Sequence, residues 1–469
     1  MTRSSQTRTL SIRGLPWLSA ALAASVLGLL ALPAEAETPD TAEAVTNGPT
    51  SAASTESATS ADEEMALFMA FNDALQEVYR QAPESNLLTQ LASYRRLTEE
   101  FGGQTDDVDE ILGSFVSWKL SAIGQIAEAH RVFDQTTTEP PPSVEGLAEL
   151  RRSLEGYEAT DALDALVEAA AGERAIFVNE GHHIPQHRML TLLLLPRLRA
   201  AGFTHFAAET LSESMEELAE RGHPVPKTGT YSDEPLYGEL IRTALRLGFE
   251  VVKYESGGPP SKREPGQARN LAERVFAVDP EARLVVHLGY GHNRESADSA
   301  GGAGAMAFHF AAKTGIDPLT IDQTVFTERS TRDLEHPLYA ELCGDHEDAA
   351  PVVLVDTSGG LWSEPGGNRD VTVCHPRTRL EQGRPTWMAL GGSRKPIAID
   401  PEFCGEVSPC LVEARWHTEA ANAIPADRIE VRTDAPRPVL LLPEGRFRIE
   451  ASSVEGESLG VTEVLVPGE

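Results

Sequence analysis

I-F-V-N-E-G-H-H-I-P-Q-H-R, residues 176–188, decides how this 469-residue chain reads. A short apolar run passes directly into one acid and three histidines within eight residues: Glu180, His182, His183 and His187. A buried strand of a parallel sheet delivers the residues that follow it to the carboxyl edge, where ligands bind in such folds. Histidine changes charge near neutral pH and is the commonest metal ligand, so three of them at a strand exit point to chemistry. An ordinary strand-to-helix loop with solvated histidines gives the same local pattern. The flanking sequence has to decide between the two.

Outward from this run, short apolar stretches at 175–178, 205–208, 249–253, 284–288 and 319–321 alternate with amphipathic segments at 188–200, 234–247, 267–278 and 303–314. That alternation implies an α/β domain over 171–328, a mostly parallel sheet flanked by helices. The strand exits carry the informative residues. The first hands over Glu180, His182 and His183; the second, F-A-A-E-T, ends at Glu209. The third, V-V-K-Y-E-S, ends at Glu255, and the fourth, V-V-H-L-G-Y-G-H-N-R-E, reaches His292 and then Glu295. Four strands that each bring a carboxylate or imidazole to one sheet edge describe a pocket better than a solvated loop does.

The neighbours of these residues read more plainly. Pro185 interrupts any helix through both His183 and His187, so the two are not a helical metal pair, and His187 flanks a helix start. His205 and His287 lie inside strands as core histidines, and His309 packs on an apolar helix. Glu255 reads equally well as a solvated strand end. The glycine-rich stretches 256–260 and 301–304 lack G-x-x-x-x-G-K-[ST] and read as rims of a site, not as phosphate cradles.

The run N-E-G-H-H-I-P-Q-H-R resembles the opening motif of the ChaN-type haem-binding proteins, G-E-x-H-D-x-P-x-H. The fourth-strand G-Y-G-H is similar to the second G-x-x-H motif of the related Tiki and TraB families. Erythromycin-esterase-like hydrolases of the same broad superfamily begin with a similar G-E-x-x-H-G element. The resemblance covers about residues 170–330. It matches Glu180 and His182 to the leading Glu and His, Glu209 to the acid after the second strand, and His292 to the late histidine. Arg269 stands where the superfamily often has an arginine in the helix before the last strand. Asn179 replaces the usual glycine, and His183 replaces an aspartate, which removes a carboxylate and adds a possible ligand.

Two functions follow. In the first the protein is a hydrolase of ester or amide bonds in a small molecule or peptide. Glu180, His182, Glu209 and His292 are its catalytic candidates, and a divalent ion held by Glu180, His182, His183, Glu209 and His292 would activate water. A metal-free variant would use His182 or His292 as general base, oriented by Glu180 or Glu209. In the second the protein binds haem or iron without turnover, with His183, His187 and Arg269 as further cofactor contacts. The haem-binding members use a tyrosine ligand, and no tyrosine here stands out for it. Acidic walls favour bare cations over haem propionates.

The rest of the chain sets the context. Residues 1–36 read as a signal peptide: Arg3, Arg8 and Arg13 precede an Ala/Leu-rich stretch and an Ala34-Glu35-Ala36 cleavage pattern. An exported protein, periplasmic or extracellular and without a stable membrane anchor, is the expectation. Removing that segment takes three arginines and one glutamate and moves the net charge from −32 to −34. A surface so acidic repels nucleic acid and anionic lipid. Residues 37–62, rich in Thr, Ser, Ala and acid, read as a disordered tether, and 63–170 as a helical N-terminal region. Within it, helical stretches are expected at 87–101, 108–133 and 144–154. Residues 329–469 read as a β-rich region. Its four cysteines suggest disulfides and allow three connectivities; Cys404 and Cys410, which close a short loop, are the most natural pair, and that choice would leave Cys343 with Cys374.

Overall fold

A computed structural model describes residues 55–82, 85–137, 141–297, 302–344, 350–432 and 438–468. The expected signal peptide, 1–36, and residues 37–54 of the expected tether lie outside the described residues. The remainder of that tether, 55–62, is helical, because the first helix runs Thr55–Gln81. Its apolar stripe nucleates the helix, which then propagates cheaply through preceding residues free of glycine and proline. Helices Leu87–Phe101, Asp106–Ala122, Ile126–Thr136 and Val144–Ser153 complete a helical layer. The stretch 108–133 is broken at Gly124, which adopts φ +82°.

Eight strands form the main sheet: β1 Tyr157–Asp161, β2 Ala175–Glu180, β3 His205–Ala208, β4 Glu250–Val252, β5 Leu284–Gly289, β6 Leu319–Asp322, β7 Val352–Asp356 and β8 Val371–Cys374. Their order is β1-β7-β8-β6-β2-β5-β3-β4. From β8 to β4 all neighbours are parallel, whereas β7 pairs antiparallel with β8 and β1 antiparallel with β7. The chain leaves β2 for β3 and β4 on one side, returns to β5 between β2 and β3, and crosses β2 to reach β6. Ligands of open α/β sheets bind outside the carboxyl ends of the strands where the winding reverses in this way.

Both faces of the central strands are covered, which is why β2 and β5 are buried along their whole length. The pleat sends alternate residues to opposite faces. Ile176, Val178, Phe206 and Val285 join a core with Leu190, Leu194 and Leu198 of helix Pro185–Ala200 and with the N-terminal helices. Phe177, Ala207, Leu284, Val286 and Leu288 join a second core with Ala268 and Leu271 of helix Pro260–Leu271 and Phe310 of helix Met306–Thr314. The N-terminal helices thus share one continuous core with the sheet.

Two parts of the sequence reading change here. Residues 157–161, expected to be helical, form edge strand β1. The apolar runs at 352–355 and 371–373, expected in the C-terminal β-rich region, extend the main sheet as β7 and β8. An antiparallel pair added at a sheet edge looks in sequence like any other pair of short strands, so its docking could not be seen there. The remaining C-terminal strands build their own layer. Asp427–Val431, Cys410–Trp416, Gly445–Ser452 and Ser458–Val466 form a four-stranded antiparallel sheet, and Arg394–Ala398 pairs with Val439–Pro443. Cys343 is bonded to Cys374 and Cys404 to Cys410. Among the described residues no helix is long and apolar enough to cross a membrane.

Candidate functional site

Glu180 ends β2 on the same face as Ile176 and Val178. In the parallel register Val178 stands opposite His287, and Glu180 opposite Gly289. Glu180 and His287 therefore meet beneath helix Pro185–Ala200, whose first two turns present Arg188 and Thr191. His287 Nε2 lies 2.7 Å from Glu180 Oε2, and its Nδ1 lies 3.1 Å from the Thr191 hydroxyl. Arg188 donates from Nε to Glu180 Oε2 at 2.7 Å and from Nη2 to Oε1 at 2.8 Å, while its Nη1 meets Glu234 at 3.0 Å. Burial alone would raise the pKa of Glu180. The Arg188 and His287 charges outweigh it and hold the carboxyl well below the ordinary carboxylate range.

Glu180 uses its remaining capacity on His182, whose Nδ1 sits 2.8 Å from Oε1. A second bond fixes this turn, because Arg188 Nη2 also donates to the His182 carbonyl at 2.8 Å. The imidazole is stacked on Tyr231 at 3.8 Å and met edge-on by Tyr290 at 5.0 Å. Its Nε2 points across the sheet edge, 3.9 Å from Glu209 Oε2. Gly289 makes this approach possible. A Cβ on that residue would lie 2.4 Å from His182 Nε2 and 2.9 Å from Glu209 Oε2.

Glu209, one residue beyond β3, anchors the other half. The Gly289 amide donates to its Oε2 at 2.6 Å, and Arg263 Nη2 donates to Oε1 at 2.9 Å. His292 Nε2 stands 3.5 Å from the same Oε1, and its Nδ1 is 2.8 Å from Glu264. Burial favours a neutral His292, yet Glu264 and Glu209 overcome it and push the imidazole pKa up to about 10. For Glu209 burial again opposes ionisation, and His292, His182 and Arg263 reverse it, holding the carboxyl well below its ordinary value. Arg263 also donates to Glu255 at 2.9 Å, a carboxylate that Gln267 supports at the same distance. Glu255 is thus a built-in member of the cluster and not a solvated strand end.

The structure brings Glu180, His182, Glu209 and His292 together. His183 turns away, stacked on Phe133 of the helical layer at 3.7 Å, and burial keeps it neutral. His187 is buried in the first turn of its helix, where Nδ1 accepts the Gly181 amide at 2.9 Å. Arg269 is exposed on the outer side of its helix, and Arg263 occupies the position facing Glu209. The amphipathic segment expected at 267–278 begins earlier in the structure. The helix starts at Pro260, so Arg263 and Glu264 fall within its first turns. Arg188 was visible as a cation early in a helix after a strand-exit acid, the one signal that could have marked it. His287 is a satisfied core histidine, as read, but its partner is the site carboxylate. Glu295, expected near His292, bonds Thr320 at 2.9 Å instead.

The donor set bears on a metal. Both oxygens of Glu180 are taken by Arg188, His182 and His287, and both of Glu209 by Arg263 and Gly289. A divalent ion would have to displace charge-assisted bonds from buried guanidinium groups, which are the strong ones. Among the described residues no group of three or more His, Cys, Asp or Glu side chains is arranged to hold a metal ion. These residues do not fit one. What the arrangement offers is an imidazole with one nitrogen held by a buried carboxylate and the other turned toward Glu209, whose own charge is met by Arg263 and His292. Comparison with known protein families, characterised proteins and solved structures finds no match to this chain.

Proposed function

We propose that this chain is an exported hydrolase of ester or amide bonds, related to the ChaN, Tiki and erythromycin-esterase-like superfamily, that works without a metal. The observation that carries the reading is the Glu180–His182 pair at 2.8 Å, with Glu180 itself fixed by Arg188 and His287. A carboxylate on Nδ1 selects the tautomer whose Nε2 lone pair can accept a proton. His182 Nε2 takes a proton from water as the water oxygen adds to the substrate carbonyl. The imidazolium that forms is stabilised by Glu180 and by Glu209 at 3.9 Å. It returns the proton to the leaving alcohol or amine as the carbonyl–heteroatom bond breaks. In this reading Arg263 and His292, both beside Glu209, supply positive charge for the developing oxyanion. Export is supported by the signal-like N-terminus and by the two disulfides.

The test is turnover of a panel of small esters and peptide amides by the purified chain and by His182→Gln. A lost general base should cost about 10²–10⁴-fold in kcat, and chelation with EDTA should leave the rate unchanged. A variant as active as the parent removes His182 from the chemistry. Activity that is abolished by EDTA and restored by a divalent ion replaces the metal-free mechanism with a metal-assisted one.

A further inference from the structure

A cavity of about 490 Å³ lies where the helical layer, the loop after β3 and the C-terminal sheet meet. Its walls do not include Glu180, His182, Glu209 or His292. The segment Gly229–Thr230 contributes to its wall, while the next residue, Tyr231, stacks on His182, so a thin partition separates the cavity from the histidine site. Its volume falls within the ordinary range for small-molecule sites, which often form where separate layers of a protein meet.

The lining is unusual for this molecule. Over the whole chain 72 acidic residues face 40 basic ones. On the cavity wall the balance is reversed: Lys119, Lys227, Arg415 and Arg428 against Asp233 and Glu413. Three of these cations are held in place. Lys119 is buried, lies over the Trp118 ring at 3.6 Å and pairs with Asp233 at 2.7 Å. Arg415 and Arg428 share Glu413, at 2.7 and 2.6 Å. Arg415 also donates from Nε to the Ala423 carbonyl and Arg428 from Nη1 to the Asp233 carbonyl, both at 2.8 Å. A guanidinium carries five N–H donors, so these bonds do not exhaust either group. Tyr79, Tyr94 and Trp118 add aromatic side chains from the helical layer. Three different parts of the chain converge on one positive, aromatic-walled hole in a strongly acidic protein. Composition alone would not place it there.

We propose that this cavity binds a small organic anion, a flat ring system carrying a carboxylate or phosphate group. The ring lies against the Tyr79, Tyr94 and Trp118 side, and the anionic group faces Arg415 and Arg428. The site is independent of the hydrolysis assigned to His182.

Calorimetric titration of the whole chain with 2-naphthoate, 2-naphthyl phosphate and uncharged 2-naphthylmethanol tests it. One of the two anions should bind at a single site at least tenfold more tightly than the alcohol, and the tighter of the two identifies carboxylate or phosphate as the natural group. Arg415→Met should weaken that anion at least tenfold and leave the alcohol unchanged. Asn422 is an exposed lining residue, so Asn422→Trp narrows the cavity without touching the buried ion pairs. It should abolish binding while leaving the melting temperature and ester turnover of the parent. Failure of both anions to bind, equal binding of the alcohol, or undiminished binding by Asn422→Trp would each overturn the proposal.

Discussion

At the scale of single residues, the site depends on charges that compensate one another out of water. Arg188 is fully buried between Glu180 and Glu234, so Arg188→Met leaves two carboxylates without their common cation. Breaking a buried pair from one side typically costs about 3–5 kcal/mol. Urea denaturation should show a loss of that size, and a loss below about 1 kcal/mol would contradict the arrangement. Gly289 is constrained by space, not by backbone angle. Gly289→Ala places a methyl group against His182 and Glu209, and overpacking of this kind costs about 1–3 kcal/mol. Ester turnover should fall at least tenfold, because the group displaced is the proposed base; an unchanged rate with wild-type stability would show that the His182 ring does not lie there. Glu180 and His182 could be picked out in sequence because a strand exit is a local signal. Their partners Arg263 and Glu264 could not, because they come from a helix some eighty residues on whose start lies ahead of the amphipathic segment at 267–278.

At the scale of elements, two helices on opposite faces of the sheet each contribute one arginine to one strand-end carboxylate. Helix Pro185–Ala200 supplies Arg188 to Glu180, and helix Pro260–Leu271 supplies Arg263 to Glu209. The sheet edge joins the halves at Gly289. His292 ties the β5 exit to the second helix through Glu264, and its raised pKa has a defined consequence. Its folded value of about 10 lies above the ordinary 6.5, so its contribution to stability is fully present below pH 6.5 and disappears as pH rises through about 10. The melting temperature of the parent should therefore decline between pH 7 and pH 10 more steeply than that of His292→Gln. Parallel curves for the two proteins would remove the Glu264–His292 pair from the energetics. The alternation of strands and helices was legible from hydrophobic period alone, and β3 falls on the expected residues. Strand order was not, since β5 inserts between β2 and β3 only through long-range pairing.

At the scale of the whole molecule, burial of neutral histidines sets the acid limit. His130, His183, His187 and His375 all have pKa values lowered below 6.5, chiefly by burial, with His130 near 4 and His375 near 3. Groups with depressed folded pKa values stabilise the fold above the unfolded pKa and lose that contribution as pH falls. Stability should drop from about pH 6.5 downwards. A second loss should follow below about pH 4.5, where protonation begins to remove the contribution of Glu180 and Glu209. Glu295, raised to about 7 by burial and Asp370, and Glu328, also raised by burial, work in the opposite direction above pH 4.5, but as two partly buried groups against four histidines. A melting temperature constant from pH 7 to pH 4 would refute this. By itself the sequence determined the α/β alternation and the strand-end acids and histidines, because hydrophobic period and strand-exit chemistry are written in neighbouring residues. Only the tertiary structure decided that β7 and β8 complete the main sheet. It also decided that Arg188 and Arg263 neutralise the site carboxylates, that His183 and His187 serve packing, and that a positive cavity opens in an acidic protein. Each of these depends on which distant side chains share a buried volume, and that is set by packing and register across the whole fold.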